Sequence, residues 1–230
     1  MAVGVTGGIY GFINLTGKSA HSTTPWNGVN AVEKALYIQT GLDAWKTKRK
    51  TIPLDPLFVD EPETYTAAHM VSIDRTDGGL VGKIPSSACV MVRSTVMPGE
   101  DPEKMIQDFE KTILTETNKD SWLAEHPPEF TWIKMEGRNR PAALSQDHPF
   151  SRCLEKSYEK IIGTKPKHTG LVSPADMQQL MNIQSTTPTL MFGPGSIYQA
   201  HTDDESVPIK ELVQTSAVIG DFIVNWCEIS

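Results

Sequence analysis

Apolar and polar positions alternate along this chain with two different rhythms, and the change of rhythm divides it. Residues 10–16, YGFINLT, read as a strand running into the polar loop GKSAHSTTPWNG. A helix is expected over 29–48, with Val32, Ala35, Leu36 and Leu42 sharing one face. Residues 66–73 and 88–96 alternate as strands, and MPGED opens a helix over 102–114. A last strand falls at 130–134, approached through the loop NKDSWLAEHPPEF, where Pro127 and Pro128 stop any helix. Strand, helix, strand, strand, helix, strand is the order of a ferredoxin-like α+β unit, a four-stranded antiparallel sheet with two helices on one face.

Beyond residue 146 the rhythm is that of helices separated by short apolar strands. An amphipathic helix is expected over 147–162, with Asp147 as its cap and Gly163 as its stop. A short strand near His168, a helix over 176–181 opened by Asp176, an apolar strand at 189–192 and a final helix over 209–226 follow. This is the pattern of an α/β layer with a buried sheet. The boundary falls in EGRNRPAALSQ, so the expected units are 8–135 and 136–230, with no internal repeat.

Composition narrows the partners. A net charge of -7 and a pI near 5.4 argue against nucleic acid. No apolar run reaches the length of a membrane span, and the N-terminus MAVGVTGGIYGF has no basic region or cleavage site. Cys89, Cys153 and Cys227 stand far apart with no CxxC spacing, as free thiols of a reducing compartment would. A cytoplasmic protein is expected.

The stretch GPGSIYQAHTDDESV, residues 193–207, carries the first chemical signal. It follows the apolar run PTLMF, so it lies at the carboxyl end of an expected strand, where α/β sheets place their sites. His201 stands there within four residues of Asp203, Asp204 and Glu205, which are close enough to orient an imidazole. A loop histidine bonded to a neighbouring carboxylate is the plainer reading. A metal site needs three or four ligands, and no HxxH or HxH spacing lies nearby.

A second stretch, GKSAHSTTPWNGVNAVEKA, changes the weighing. Its Gly17, His21, Pro25, Gly28, Asn30 and Ala31, followed by IPSSACVMVRSTVMPGED, SWLAEHPPEF, DHPF and the closing GPG and AH, come in a fixed order from about residue 8 to 228. In these motifs the chain resembles the dinuclear zinc amidohydrolases that include acetylornithine deacetylase, succinyl-diaminopimelate desuccinylase and aminoacylase. The resemblance implies a ferredoxin-like lid that forms a homodimer, followed by the end of an α/β catalytic domain.

It also implies roles. His201 is the last ligand of a pair of zinc ions (cobalt or manganese being alternatives), and His21 reaches across the dimer to hold the oxyanion in the partner subunit. The other ligands and the general base precede the lid in that family, so the chain is expected to be a C-terminal part, inactive alone. Gly195, Ser196, Asn30 and Arg93 are candidates for gripping a small N-acyl amino acid or peptide-like substrate. Asp176, Asp204 and Glu205 are candidates for supporting His201. Thr95 and Gly82 stand where many members carry an arginine and an asparagine for the substrate carboxylate. Arg93, two residues upstream of Thr95 on the same strand, is expected on the same face. The Gly78–Gly79 pair and the Arg93 spacing look closer to deacylase and deformylase-like branches, and leave the acyl group open. A non-catalytic dimerisation or binding module derived from such an enzyme is the alternative. Trp122 with His126 is expected as packing between domains, and His69 as a structural strand residue.

Overall fold

A computed structural model of the chain describes residues 1–79, 81–135, 137, 139–183 and 187–228. Its larger sheet joins strands β2 (Gly7–Thr16), β3 (Ala68–Arg75), β4 (Ser87–Val96) and β5 (Glu129–Trp132) in the order β3-β4-β2-β5. All three pairings are antiparallel, with β2 and β4 in unbroken register from Gly7↔Val96 to Thr16↔Ser87. Helices α1 (Ala31–Arg49) and α2 (Pro102–Thr117) pack on the sheet, which gives the expected ferredoxin-like lid.

Strand periodicity places the core. Ile9, Ile13 and Leu15 of β2 and Val90 and Val92 of β4 are buried against Ala35, Ile38, Leu42 and Trp45 of α1 and Phe109 and Ile113 of α2. The α1 stripe recurs at Ala31, Ala35, Ile38, Leu42, Trp45 and Arg49. Leu36, expected on that stripe, is 68% exposed, because one step beyond Ala35 turns a side chain about 100° away. Helix α1 starts at Ala31 because Asn30 caps it, its Oδ1 accepting the Val32 amide at 3.0 Å. The approach to β5 is not all loop. Asp120 caps a short helix, α3 (Ser121–Glu125), by accepting the Leu123 amide. Trp122 stacks on His126 at 3.9 Å and donates to the Thr16 carbonyl, so it packs within the lid and not between domains.

The smaller sheet has β1 (Ala2–Val5) at its centre, antiparallel to β6 (Ala142–Ala143) and parallel to β7 (Thr169–Leu171). The chain thus starts in the second layer and crosses into the lid at Thr6. Gly7 makes that crossing possible, since a Cβ there would lie 2.2 Å from the Asn139 carbonyl oxygen in the returning segment before β6. Glu136, where the expected boundary falls, lies outside the described residues. The expected strand at 189–192 reduces to one bridge, Met191 to Ala2.

Helices α4 (Pro149–Ile162), α5 (Asp176–Ile183) and α6 (Ile209–Trp226) complete this layer. Phe150 of α4 meets Phe222 and Trp226 of α6 edge-on. Asp147 does not cap α4. Pro149 pre-sets the first helical residue, so the cap is the residue before it, His148, whose Nδ1 accepts the Phe150 amide. Asp147 pairs with Arg152 instead, and Gly163 ends the helix at φ +87° as expected. Asp176 is the first residue of α5. No helix among the described residues is long and apolar enough to cross a membrane.

Residues 52–66 join the two layers through turns at Pro56–Phe58 and Pro62–Thr66. Phe58 is fully buried with Tyr65 and Met97, and Leu57 and Val172 pack around them. The Phe58 ring lies where a side chain on Gly170 of β7 would have to go, 2.2 Å from its Cβ position.

Above that joint sits Arg49, with a side chain only 3% exposed. It forks onto Glu100, donates through Nε to the Tyr65 carbonyl at 2.8 Å and reaches the Thr95 carbonyl. Glu100→Ala should lower stability by about 3 kcal/mol, since it strands a buried guanidinium. Arg49→Met should cost less, roughly 1–2 kcal/mol, because the Glu100 carboxylate it leaves behind is partly exposed and water can reach it. Urea unfolding of both variants checks the size and the order.

Candidate functional site

The loop between β2 and α1 is held to the tip of the β3–β4 hairpin. Lys18 bridges Val29, His21 bridges Lys83, the Ser22 amide donates to the Gly82 carbonyl and the Ile84 amide to the Ala20 carbonyl, both at 2.9 Å. The hairpin tip has its own clasp in Asp77, whose side chain is 6% exposed. Its carboxylate accepts from Arg75, from the Ser86 amide at 2.8 Å and hydroxyl at 3.1 Å, and from Lys83 at 3.2 Å. The Arg75 guanidinium, with the Ser86 amide, holds its carboxyl well below the usual carboxylate range. Asp77 therefore helps fix the hairpin segment at Lys83 on which the His21 backbone rests.

Within that loop His21 is exposed, its Nδ1 lying 2.8 Å from the Thr23 hydroxyl and 3.3 Å from the Thr23 amide nitrogen. Asn30 is occupied by the cap of α1, its amide also donating to Glu33 at 2.9 Å.

Arg93 lies on the face of the lid sheet away from the helices. Ser94 accepts from the Trp45 indole on the helix side, so Arg93 and Thr95 alternate to the other face, as the spacing predicts. Register pairs Arg93 with Tyr10 on one side and His69 on the other. Its guanidinium stands 5.8 Å from the Tyr10 ring centre. His69 is an exposed edge residue whose pKa is lowered by burial of part of the ring and by the Arg93 and Lys46 charges.

The third group is the glycine loop before α6. Gly195, at φ +84°, donates its amide to Glu211 at 2.9 Å, and Val207 closes over it. Ser196 caps the turn Ile197–Gln199 by accepting the Tyr198 amide. His201 has φ +64°, a conformation few non-glycine residues adopt, and its amide donates to Glu205 at 3.1 Å. Glu205 thus holds the backbone of His201 and leaves the exposed imidazole outward, while Asp203 and Asp204 lie exposed beside it.

The structure gathers the site residues in separate places: His21 and Asn30 in the lid loop, Arg93 on the open sheet face, Gly195, Ser196, His201, Asp204 and Glu205 in the glycine loop, Asp176 at the start of α5. Among the described residues no three His, Cys, Asp or Glu side chains converge as a metal site would require. His201 can supply one ligand to such a set, and the described residues do not complete it. Asp77 and Thr23, which hold the His21 loop, carried no signal in the sequence.

A family model described as the peptidase dimerisation domain matches residues 3–121, about half of the chain. An acetylornithine deacetylase of Proteus mirabilis is 30% identical over 220 residues, taking in 94% of this chain and 50% of that protein. An N-formyl-4-amino-5-aminomethyl-2-methylpyrimidine deformylase of Halalkalibacterium halodurans is 26% identical over 209 residues, 88% of this chain and 47% of the other. The chain spans about half the length of the curated relatives it matches, and corresponds to their C-terminal part. The solved dipeptidase Dug1p of Saccharomyces cerevisiae shares the fold with a TM-score of 0.73 at 14% identity, covering 99% of this chain and 56% of its own. An M20 family metallo-carboxypeptidase of Sulfolobus solfataricus does so with a TM-score of 0.65 at 16% identity, covering 96% and 58%. The chain belongs to the family of the peptidase dimerisation domain.

The Asp77 clasp makes a pH-dependent prediction. Its folded-state pKa is depressed, so its contribution is present in full above about pH 5 and declines as pH falls through about 4 toward the folded value. Asp77→Asn should lower the urea midpoint near neutral pH, and the gap to the wild type should narrow progressively as pH falls below about 4. A gap that stays constant on acidification would remove Asp77 from this role.

Proposed function

We propose that this chain works as the lid and C-terminal part of a metal-dependent amidohydrolase acting on an N-acyl amino acid or a small peptide-like substrate. The observation that carries the reading is His201, an exposed imidazole held in a left-handed backbone conformation by Glu205. Strain of this kind costs about 1–3 kcal/mol and concentrates at functional sites. Family membership and the deacetylase and deformylase relatives support the same reading.

In it His201 is one ligand of a pair of divalent ions, zinc in this proposal, with cobalt or manganese as alternatives. Such ions, when bound, polarise the scissile carbonyl and lower the pKa of a bound water. This chain's own residues do the rest of what is assigned to it. Glu205 keeps the His201 backbone in place, with Asp204 in the same loop and Asp176, at the start of α5, as further carboxylates assigned to its support. His21 acts across a lid-mediated homodimer, donating to the oxyanion that develops in the partner's site. Arg93, backed by Tyr10, offers a charge for the substrate carboxylate, with Asn30, Gly195 and Ser196 as further substrate contacts.

The apolar side of α6 supports a larger catalytic body. Ile209 is 79% exposed and Val213 63%, with Leu212, Ile223 and Val224 near half. Such a patch on one helix marks a surface that another part covers. The free thiols of Cys89, Cys153 and Cys227 fit a reducing compartment, and we place the protein in the cytoplasm.

The chain by itself should bind zinc weakly and hydrolyse no N-acyl amino acid, which calorimetry and an amine-release assay check. Completed with the rest of the family's catalytic domain, it should gain metal-dependent deacylation. There His201→Ala should empty one ligand position and abolish most turnover together with metal content. His21→Ala should keep the metal and lower kcat about a hundred- to a thousandfold. Metal analysis beside turnover separates the two, and full zinc and full rate in His201→Ala would defeat the reading. A completed protein indifferent to zinc would favour a dimerising binding module.

A second expectation concerns assembly. Light scattering should give a dimer, because β3 and β5 leave the lid sheet with open edges that symmetric pairing covers. Dissociation by a proline placed in one edge strand identifies the edge used.

A further inference from the structure

His21 has a defined proton, and the residue that defines it is Thr23. The main-chain amide of Thr23 points at the His21 Nδ1 from 3.3 Å, and the Thr23 hydroxyl lies 2.8 Å from the same atom. An amide N–H can only donate, so Nδ1 must present its lone pair. The hydroxyl, finding no proton on Nδ1, donates as well. A neutral imidazole with an accepting Nδ1 carries its single proton on Nε2. We propose that Thr23 is a positioning residue that holds neutral His21 as the Nε2–H tautomer, and so decides that the outward edge of the ring is a donor.

Local geometry explains how residue 23 comes to face residue 21. The Thr24 amide closes a turn onto the His21 carbonyl at 2.9 Å, and the Thr24 hydroxyl reaches the same carbonyl at 3.4 Å. Pro25 then starts the turn Pro25–Asn27, which carries the chain away. The bridge to Lys83 fixes the histidine's main chain from the other side. Backbone and ring of His21 are thus both held while the residue stays exposed. The consequence is a matter of sign. With the proton on Nε2 the outer nitrogen attracts an anionic oxygen, and with the proton on Nδ1 it would offer that oxygen a lone pair. This rests on the oxyanion role proposed for His21, but the tautomer can be read without any turnover.

The chain contains its own standards. His148 Nδ1 accepts the Phe150 amide at 3.1 Å, which demands the same Nε2–H form. His126 Nδ1 faces the Trp122 carbonyl at 3.1 Å, which can only accept and so demands the opposite form. Long-range proton–nitrogen correlation on the nitrogen-labelled chain, at about pH 8.5 where imidazoles are neutral, reads each ring. His21, assigned through His21→Ala, should match His148 and not His126. In Thr23→Val, which removes the hydroxyl and keeps the amide, His21 should still match His148, because the amide decides the tautomer and the hydroxyl only follows it. A His21 ring that matches His126, in the wild type or in Thr23→Val, overturns the proposal. Either result leaves the His21→Ala turnover test standing, so failure here is distinct from failure of the proposed function.

Discussion

Everything in this fold is arranged around a guanidinium that has been taken out of water. Arg49 cannot lose its charge, so each buried N–H must find an acceptor or cost several kcal/mol. Its acceptors come from three other segments: Glu100 from the turn before α2, the Tyr65 carbonyl from the turn before β3, and the Thr95 carbonyl from the end of β4. Glu100 is itself tied down by the Met97 amide. Those segments can meet only if α1 lies across the sheet with its last turn over β4. The same meeting point seats Tyr65 and Met97 beside Phe58, and Phe58 fills the space over Gly170. One satisfied ion therefore sets both the lid and its joint to the second layer.

The lid was legible in the sequence because its signals are periodic. Two-residue alternation in β2 and β4 and a stripe in α1 report burial directly, so the strand order and the helix face follow. Leu36 misled because side-chain type was read in place of phase. What lay beyond reach was the aperiodic part. Residues 52–66 hold three prolines and no repeat, and their importance comes from Phe58 meeting a glycine more than a hundred residues away. The apolar run at 189–192 looked like a strand, but a strand needs a neighbour with free backbone groups, and among the described residues only Ala2 supplies them at Met191.

The chemical residues divide along the same line. His201 and His21 were visible through motifs, and Arg93 through the phase of its strand. Their holding groups were not. Glu205 looked like a companion to an imidazole but bonds to the main chain of His201. Asn30, a candidate substrate contact, has a side chain that also caps a helix, which the motif did not show. Asp77 stands next to a glycine pair that drew notice for its spacing alone, and its four donors are gathered by a hairpin turn that composition does not reveal.

Both histidines are therefore held by hydrogen bonds from their own neighbourhood. His201 is set by a backbone conformation that one carboxylate maintains, and His21 by a turn, a bridge and a shared acceptor on its ring. Preorganisation of this kind matters most for groups that act on charge developing in a transition state, because reorientation at that moment would cost part of the stabilisation. The opposite holds for α6, whose apolar side chains stand in water and gain only when something covers them. The chain thus combines finished local geometry at its two histidines with an exposed apolar face on α6. Local hydrogen bonds need only a few neighbouring residues, whereas a core needs the whole body that encloses it, so the two can be separated in one polypeptide.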